Sequence, residues 1–80
     1  MAKIEVLLPQ WGMGMNEGTI TSWLKSVGDT VDEDEPLAEV EAEKVEETIE
    51  APVTGTLSEI VVAEGETAEV RTVVAYIETA

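Results

Sequence analysis

The sequence predicts an all-β fold, a flattened barrel or sandwich of two four-stranded antiparallel sheets with an internal pseudo-twofold axis. Apolar and polar side chains alternate along several short segments, which is the period of a strand, and no stretch shows a convincing helical period. The second half of the chain also copies the first, because a shift of 37 residues places Gly18 on Gly55 and Gly28 on Gly65 without a gap. Two copies of one β-unit cannot each close a core, but they can bury a common core when they pair.

The first strands of the two halves match each other at a different shift from the rest of the repeat. Pro9 matches Pro52 and Val6 matches Ile49 at a shift of 43, so the first copy carries six additional residues before its glycine. These residues lie in the Gln10–Glu17 loop. We expect the first strand of each half to join the sheet of the other half.

The chain begins with a predicted strand over Lys3–Pro9, which the proline ends. After the Gln10–Glu17 loop, residues 18–25 form the next predicted strand. Its alternation places Ile20 and Leu24 on one face and Trp23 on the other.

A turn and a charged run follow this strand. Gly28-Asp29 is a turn signal, and the acidic run Asp32–Glu35 ends at Pro36. Four carboxylates in a row could chelate calcium, but this run lacks the glycine and the spacing of a calcium loop. We interpret it as a solvated turn.

A hairpin around Lys44 is the central element of the chain. Two alternating runs, Leu37–Glu43 and Val45–Ala51, meet with almost no spacer and predict a hairpin over residues 37–51 with Lys44 at its tip. Tight hairpins favour Asn-Gly or Asp-Gly turns, so a lysine kept here is a functional candidate rather than only a solvated charge. The residues expected on the inner face are Ala38, Val40 and Ala42 before the turn, and Val45, Ile49 and Ala51 after it.

The rest of the chain completes the second copy as a strand, a turn at Gly65, a short strand and a final strand. The expected core is aliphatic and thin, because the chain contains no Phe. Its predicted members are Val6, Ile20, Leu24, Val31, Val40, Ile49, Leu57, Val61, Ala75 and Ile77.

Composition limits the function. Eighty residues make one small domain, here 1–80, and the absence of Cys and His removes disulfides, thiolate metal sites and the usual general base. A net charge of −14 argues against nucleic acid and anionic membranes, and favours a partner with a basic surface. Without a signal-peptide pattern, we expect a cytoplasmic location in a prokaryote or the mitochondrial matrix in a eukaryote. The chain ends directly after its last predicted strand, as an excised domain would.

The duplicated β-unit with a lysine on its central hairpin resembles the lipoyl/biotinyl attachment family over essentially the whole chain. Glu41-Ala42-Glu43-Lys44-Val45 is similar to the lipoyl motif E-T-D-K-A, and Gly28-Asp29-Thr30-Val31 is similar to the family's G-D-x-V. Gly55 and Ala51-Pro52 also match. Biotinyl domains carry Ala-Met-Lys-Met instead, and both methionines are missing here.

The resemblance implies a carrier fold of the lipoyl type and lipoate joined by an amide to Lys44. It implies a swinging arm that accepts an acyl group from a thiamine-diphosphate-dependent decarboxylase and delivers it to coenzyme A, after which a flavin enzyme reoxidises the dithiol. The implied partners are a lipoate ligase or lipoyl transferase, the decarboxylase, an acyltransferase core and dihydrolipoamide dehydrogenase. The domain alone is expected to be monomeric and to catalyse nothing.

Candidate recognition residues lie beside the lysine and in the first loop. Glu43 and Val45 flank Lys44, and Glu41 and Glu46 add to a field that favours a basic docking surface. The loop motif P-x-W-G-x-x-M resembles acetoin-dehydrogenase-type lipoyl domains. Its large side chains are candidate partner contacts, and copper(I) binding by the methionines is disfavoured without Cys or His. These side chains are Trp11, Met13 and Met15.

Three alternatives remain. The chain could be a biotin carrier of a carboxylase, which Glu43 and Val45 disfavour. It could be a hydrogen carrier of glycine cleavage, although that family is longer and has helical additions. It could also be an unmodified acidic interaction module.

Overall fold

The computed structural model describes residues 2–10, 16–42 and 45–79, with only the backbone at position 45. All regular structure in these ranges is β-strand, which confirms the predicted fold class. The strands are β1 (Ala2–Leu7), β2 (Glu17–Trp23), β3 (Thr30–Val31), β4 (Pro36–Ala42), β5 (Val45–Glu50), β6 (Gly55–Ile60), β7 (Thr67–Glu69) and β8 (Val73–Thr79).

The strands form two four-stranded sheets, in the orders β1-β8-β6-β3 and β5-β4-β2-β7. Every neighbouring pair is antiparallel. The first strand of each half joins the sheet of the other half, as predicted, and the short third strand does so too. The two halves therefore interlock and share one core.

The internal pseudo-twofold relates the strands residue by residue. The bounds of β4 and β8 differ by 37 residues at both ends, and those of β1 and β5 differ by 43. The turns repeat as well, because Gly28 and Gly65 have φ of 99° and 89°, and Asp34 and Arg71 have φ of 69° and 67°. Left-handed φ values at matched positions show that both halves use the same turn geometry.

The glycine turns join the two halves. The amide of Gly28 donates to the carbonyl of Leu57 at 2.7 Å, and the amide of Gly65 donates to the carbonyl of Ile20 at 2.6 Å. Each turn thus binds the second strand of the opposite half. Positive φ suits glycine at both positions, since it has no Cβ to clash.

The core is aliphatic, as predicted. Eight of the predicted members are buried: Val6, Ile20, Val31, Val40, Ile49, Leu57, Ala75 and Ile77. Three residues predicted only on the inner face of the hairpin, Ala38, Ala42 and Ala51, are buried too. The prediction left out further buried residues: Leu8, Leu37, Ala68 and Val74.

Two predicted core residues are wrong. Leu24 and Val61 are each 47% exposed, because the strand alternation before them shifts by one residue. A bulge in β2 lies between Ile20 and Ser22, and the equivalent bulge in β6 lies between Leu57 and Glu59. One additional residue in a strand moves every following side chain to the opposite face.

The same shift corrects the position of Trp23. It was predicted on the outer face, but it packs against the core, and its indole Nε1 donates to the carbonyl of Val62 at 2.9 Å. The first strand also ends at Leu7 rather than at Pro9. Leu8, directly after it, is fully buried.

The molecule is elongated, with extents of 37 × 20 × 18 Å. Ala42 pairs with Val45 at the tip of the β4–β5 hairpin, and the pseudo-twofold equivalent is the pair of Ala2 and Thr79. The hairpin tip and the first and last described residues therefore lie at opposite ends. In the described part of the chain, no helix is long and apolar enough to cross a membrane.

Candidate cofactor-attachment site

The β4–β5 hairpin defines the candidate site. Because Ala42 and Val45 are direct cross-strand partners, the connection between the strands consists of Glu43 and Lys44 alone. Both residues lie outside the described part of the chain, as does the side chain of Val45. The described strands fix where the connection leaves and re-enters the sheet.

The inner face of the hairpin is held by the core. Val40 is 1% exposed and Ala42 is 7% exposed, and Ala38 pairs with the buried Ile49. The exposed Glu47 pairs with Val40, whereas the equivalent pair in the other half is Ile4 with Ile77. A charge at an inward position of an edge strand opposes pairing with another chain. The apolar packing of Val40, Ala42 and Ile49 against the core holds the two strands that lead into the tip.

The outer face of the hairpin carries carboxylates. Glu41 pairs directly with Glu46, so both predicted residues are brought together on one face. Glu39 lies two residues before Glu41 and therefore on the same face, and it was not singled out from the sequence. The alternation of glutamates in β4 was the available signal. A shallow groove runs along this face and is lined by Thr21, Ser22, Glu39, Val40, Glu41, Glu46, Glu47 and Thr48.

The described cations are engaged elsewhere. The Lys25 ammonium lies 3.1 Å from a carboxylate oxygen of Glu35, and the Lys3 ammonium lies 5.8 Å from the centroid of the Tyr76 ring. Arg71 donates to the side-chain oxygen of Gln10 at 3.4 Å. Across residues 2–10, 16–42 and 45–79, the only ion pair therefore involves none of the groove carboxylates.

The acidic run Asp32–Glu35 forms the predicted turn. The Asp32 amide donates to a carboxylate oxygen of Glu35 at 3.0 Å, and Asp34 has the left-handed φ that closes the turn. The Asp32 amide, together with Lys25, lowers the pKa of Glu35 below that of an ordinary glutamate. Within the described ranges, no three acidic side chains converge as a metal site would require.

The first loop re-enters the fold beside the hairpin. Trp11, Met13 and Met15 lie outside the described residues. After them, the Asn16 carbonyl accepts the Val70 amide at 3.0 Å, and β2 then begins with its third residue, Thr19, opposite Glu41. The strand that the loop enters therefore starts at the hairpin end of the molecule.

This architecture defines a cofactor-carrier domain in which a lysine connects two strands of a duplicated β-sandwich. The family model described as "Biotin-requiring enzyme" matches residues 4–77, and the chain belongs to this biotin and lipoyl attachment family. The family resemblance expected from the hairpin motif is confirmed.

Relatives separate lipoyl from biotinyl members. The chain is 50% identical over 76 residues to the dihydrolipoyllysine-residue acetyltransferase component of the Corynebacterium glutamicum pyruvate dehydrogenase complex, covering 95% of the chain. It is 43% identical to the corresponding component of the Bacillus subtilis acetoin cleaving system, covering 92% of the chain. It is 40% identical to the lipoamide acyltransferase component of the B. subtilis branched-chain alpha-keto acid dehydrogenase complex, covering 99%. The chain spans only 11 to 19% of these relatives.

Solved structures agree on the fold. The lipoyl domain of the 2-oxoglutarate dehydrogenase complex from Azotobacter vinelandii superposes with a TM-score of 0.75 at 28% identity, covering 96% of this chain and 99% of that one. A stretch of Kluyveromyces lactis urea carboxylase gives a TM-score of 0.82 at 22% identity and covers 6% of that protein, a likeness of fold alone. Together with the relatives, the Azotobacter lipoyl domain identifies the chain as a lipoyl carrier domain, a class that bears lipoate covalently on a lysine and is not itself catalytic.

Proposed function

We propose that Lys44 is the lysine that carries lipoate, and that the chain serves the acyltransferase component of a 2-oxo acid or acetoin dehydrogenase complex. The observation that carries this proposal is the direct pairing of Ala42 with Val45, which leaves Lys44 in a two-residue connection. The described strands therefore fix both ends of the connection that contains Lys44. We infer that a modifying enzyme reads this connection.

The other lysines are poor candidates. Lys25 is part of an ion pair with Glu35, and Lys3 lies over the Tyr76 ring in the sheet at the opposite end. Neither lies at the tip of a hairpin. Of the three lysines in the chain, Lys44 is the one whose position suits an extended arm.

Amide formation at Lys44 would remove its ammonium charge and create a long tether. When attached, the dithiolane supplies acyl-transfer and redox chemistry, and the protein contributes presentation and recognition. The buried inner face of the hairpin, Val40 and Ala42, gives the arm a fixed base. A tethered arm raises its effective concentration at each active site that it reaches.

The relatives support partners of one kind. They are components of pyruvate, acetoin and branched-chain complexes, so we infer that this chain meets the other components of such a complex. The specific partners that we propose are a lipoate ligase or lipoyl transferase, a thiamine-diphosphate-dependent decarboxylase, the acyltransferase core and dihydrolipoamide dehydrogenase. We propose that Glu43 and Val45 are read by the ligase, and that the first loop is read by the decarboxylase. The compartment that we propose is the prokaryotic cytoplasm or the mitochondrial matrix.

Lipoylation in vitro tests the attachment site. Incubation with lipoate, ATP and a lipoate ligase should add one lipoyl mass, and Lys44→Arg should abolish the addition. Lys3→Arg and Lys25→Arg are matched controls that should remain fully modified. A lipoylated peptide containing Lys3 or Lys25 would contradict the assignment.

The lipoylated chain should then be reductively acylated by at least one decarboxylase from the pyruvate, acetoin or branched-chain complexes. Wild-type chain incubated with a biotin ligase should give no signal on a streptavidin blot. Strong biotinylation at Lys44 would replace the lipoyl proposal with a carboxylase carrier.

A further inference from the structure

The outer face of the hairpin opposes like charges at close range. Glu41 and Glu46 are direct cross-strand partners, whose Cβ atoms lie about 5 Å apart in a paired sheet. Glu39 lies about 7 Å along β4 on the same face. Like charges directly opposite each other destabilise a strand pair. We call Glu39, Glu41 and Glu46 the acidic face.

The pseudo-twofold provides an internal comparison. The position equivalent to Glu46 is Lys3, which pairs with Glu78, the equivalent of Glu41. The position equivalent to Glu39 is Tyr76, over which the Lys3 ammonium lies. The same backbone therefore carries a complementary charge pair at one end and a like-charge pair at the other. The fold does not require the unfavourable arrangement.

The acidic face is accessible and concave. All three glutamates are exposed and line the groove together with Thr21, Ser22 and Thr48. Among the described residues, no cation pairs with any of the three glutamates. A groove of carboxylates and hydroxyls offers hydrogen-bond acceptors to Lys and Arg side chains, and little apolar surface to an acyl arm.

We propose that the acidic face docks a basic surface of the decarboxylase that acylates the arm, and that lipoylation itself strengthens this docking. This inference rests on the proposed function. Lys44 is the only basic residue between Asp32 and Glu50, a segment with ten acidic residues. An amide at its side-chain nitrogen removes that charge, so the hairpin end becomes more negative.

The order of events favours the decarboxylase over the ligase as the occupant. The ligase meets Lys44 while its ammonium still offsets part of the acidic field, whereas the decarboxylase acylates only the neutral, lipoylated form. A basic docking surface on the decarboxylase therefore distinguishes loaded from unloaded chains. Complementary charge acts mainly on association rate and specificity.

A charge-matched pair of variants tests the docking. Glu39→Gln/Glu41→Gln/Glu46→Gln neutralises the acidic face, and Glu5→Gln/Glu59→Gln/Glu78→Gln removes the same charge from the equivalent face of the other sheet. After full lipoylation, kcat/KM for reductive acylation at low salt should fall about tenfold in the first variant and less than twofold in the second. The difference should vanish near about 0.5 M salt, where screening is strong. Thermal melts should show both variants folded.

Two arm-free variants test the dependence on modification. Lys44→Gln mimics the loss of charge and Lys44→Arg keeps it, so Lys44→Gln should inhibit acylation of lipoylated wild type with a several-fold lower inhibition constant. Equal inhibition constants, or an acidic-face variant acylated as fast as its control, would overturn the inference while leaving the lipoyl function intact. Slower lipoylation with normal acylation would assign the face to the ligase instead. A chain that no ligase lipoylates would refute the proposed function itself.

Discussion

Gly55 begins β6 at a point where two backbones approach closely. A Cβ added there would lie 2.5 Å from the carbonyl oxygen of Glu78 and 2.7 Å from a methyl carbon of Ile77. The first contact is with backbone in the neighbouring strand β8, which cannot rotate away as a flexible side chain could. The repeat places Gly18 at the same position of the first half, where it is buried. The glycine in this position therefore serves the packing of the sheet.

Gly55→Ala should destabilise the chain by about 2 kcal/mol, in the range of overpacked sites. For a domain of this size the melting temperature should fall by roughly 10 °C. Glu59→Gln, on the exposed face of the same strand, should change it by no more than about 2 °C. If Gly55→Ala melts at the wild-type temperature, β6 and β8 can move apart at this point without a loss of stability.

The carboxylate of Glu35 links stability to pH. Its pKa is lowered first by the hydrogen bond from the Asp32 amide and then by Lys25. A pKa that is lower in the folded state means that the ionised form stabilises the fold, fully above the ordinary glutamate pKa. This contribution is lost as the pH falls through that value and then through the lowered one.

The stability difference between wild type and Glu35→Gln should therefore be largest near neutral pH and should shrink as the pH falls below the ordinary glutamate pKa. Acidification also relieves charge repulsion throughout a chain of net charge −14. Comparing wild type with Glu35→Gln separates the contribution of Glu35 from that general effect. In a Lys25→Gln background the difference should shrink but persist, because the Asp32 amide remains. A difference that is constant from pH 7 to pH 3 would rule out this linkage.

At the scale of elements, the sequence predicted the strands and the hairpin but not the bulges. Period-two counting continues straight through Thr21 and Ser58, so it placed Leu24 and Val61 inside and Trp23 outside. In the fold, each of these hydroxyls donates to a carbonyl of the neighbouring strand at 3.2 Å, from Thr21 to Glu39 and from Ser58 to Tyr76. A bulge depends on the partner strand, which lies 18 residues away in both cases, so the local alternation could not reveal it.

The hairpin was predicted better than the core because its signal is local. Its two strands follow from the alternation around Lys44, whereas the pairing of Glu41 with Glu46 became visible only in the fold. The alternation of glutamates in β4 could have placed Glu39 on the same face as Glu41, but its place in the groove depends on the neighbouring strand β2, whose Ser22 pairs with it.

The first loop is the element that distinguishes the two halves. Its counterpart is the two-residue link Val53-Thr54, which lies between Pro52 and Gly55 in the connection from β5 to β6. Deleting residues 11–16 leaves Gln10-Glu17 as a link of the same length. Because the second half closes with such a link, the melting temperature should change by no more than about 5 °C, and lipoylation should be retained. Reductive acylation should fall at least about tenfold, as expected for loss of a recognition anchor.

Inserting the same six residues between Val53 and Thr54 provides the matched control, because that link lies at the opposite end. The inserted chain should be acylated normally. If the shortened chain unfolds, the loop is structural, and if it is acylated at the wild-type rate, the decarboxylase does not read the loop.

At the scale of the whole molecule, the pseudo-twofold leaves two backbone ends of the same geometry and different chemistry. One end pairs Ala42 with Val45 and carries the Lys44 connection, and the other pairs Ala2 with Thr79. The first end has the acidic face and the start of β2 beside it, and the second has Lys3 opposite Glu78. Backbone shape is therefore shared, and recognition of one end over the other must depend on side chains.

A circular permutant separates what the ligase reads from what the decarboxylase reads. The permutant begins at Val45, runs to Thr79, continues through a new Glu-Lys turn into Ala2, and ends at Ala42, so that Glu43 and Lys44 are removed. It should fold, because Ala2 and Thr79 already pair as Ala42 and Val45 do and the strand connections map onto the original ones under the pseudo-twofold.

If the ligase reads the residues beside the lysine, the new turn should be lipoylated at a substantial fraction of the wild-type rate, and a permutant with a Glu-Arg turn should not be modified. The lipoylated permutant should be acylated at least about tenfold more slowly than wild type, because the first loop and the acidic face stand at the far end from its arm. Intact mass and a reductive acylation assay measure the two steps separately. Acylation at the wild-type rate would show that the decarboxylase recognises the arm and its turn alone. A permutant that folds but is not lipoylated would show that the ligase also reads the end of the molecule around Lys44.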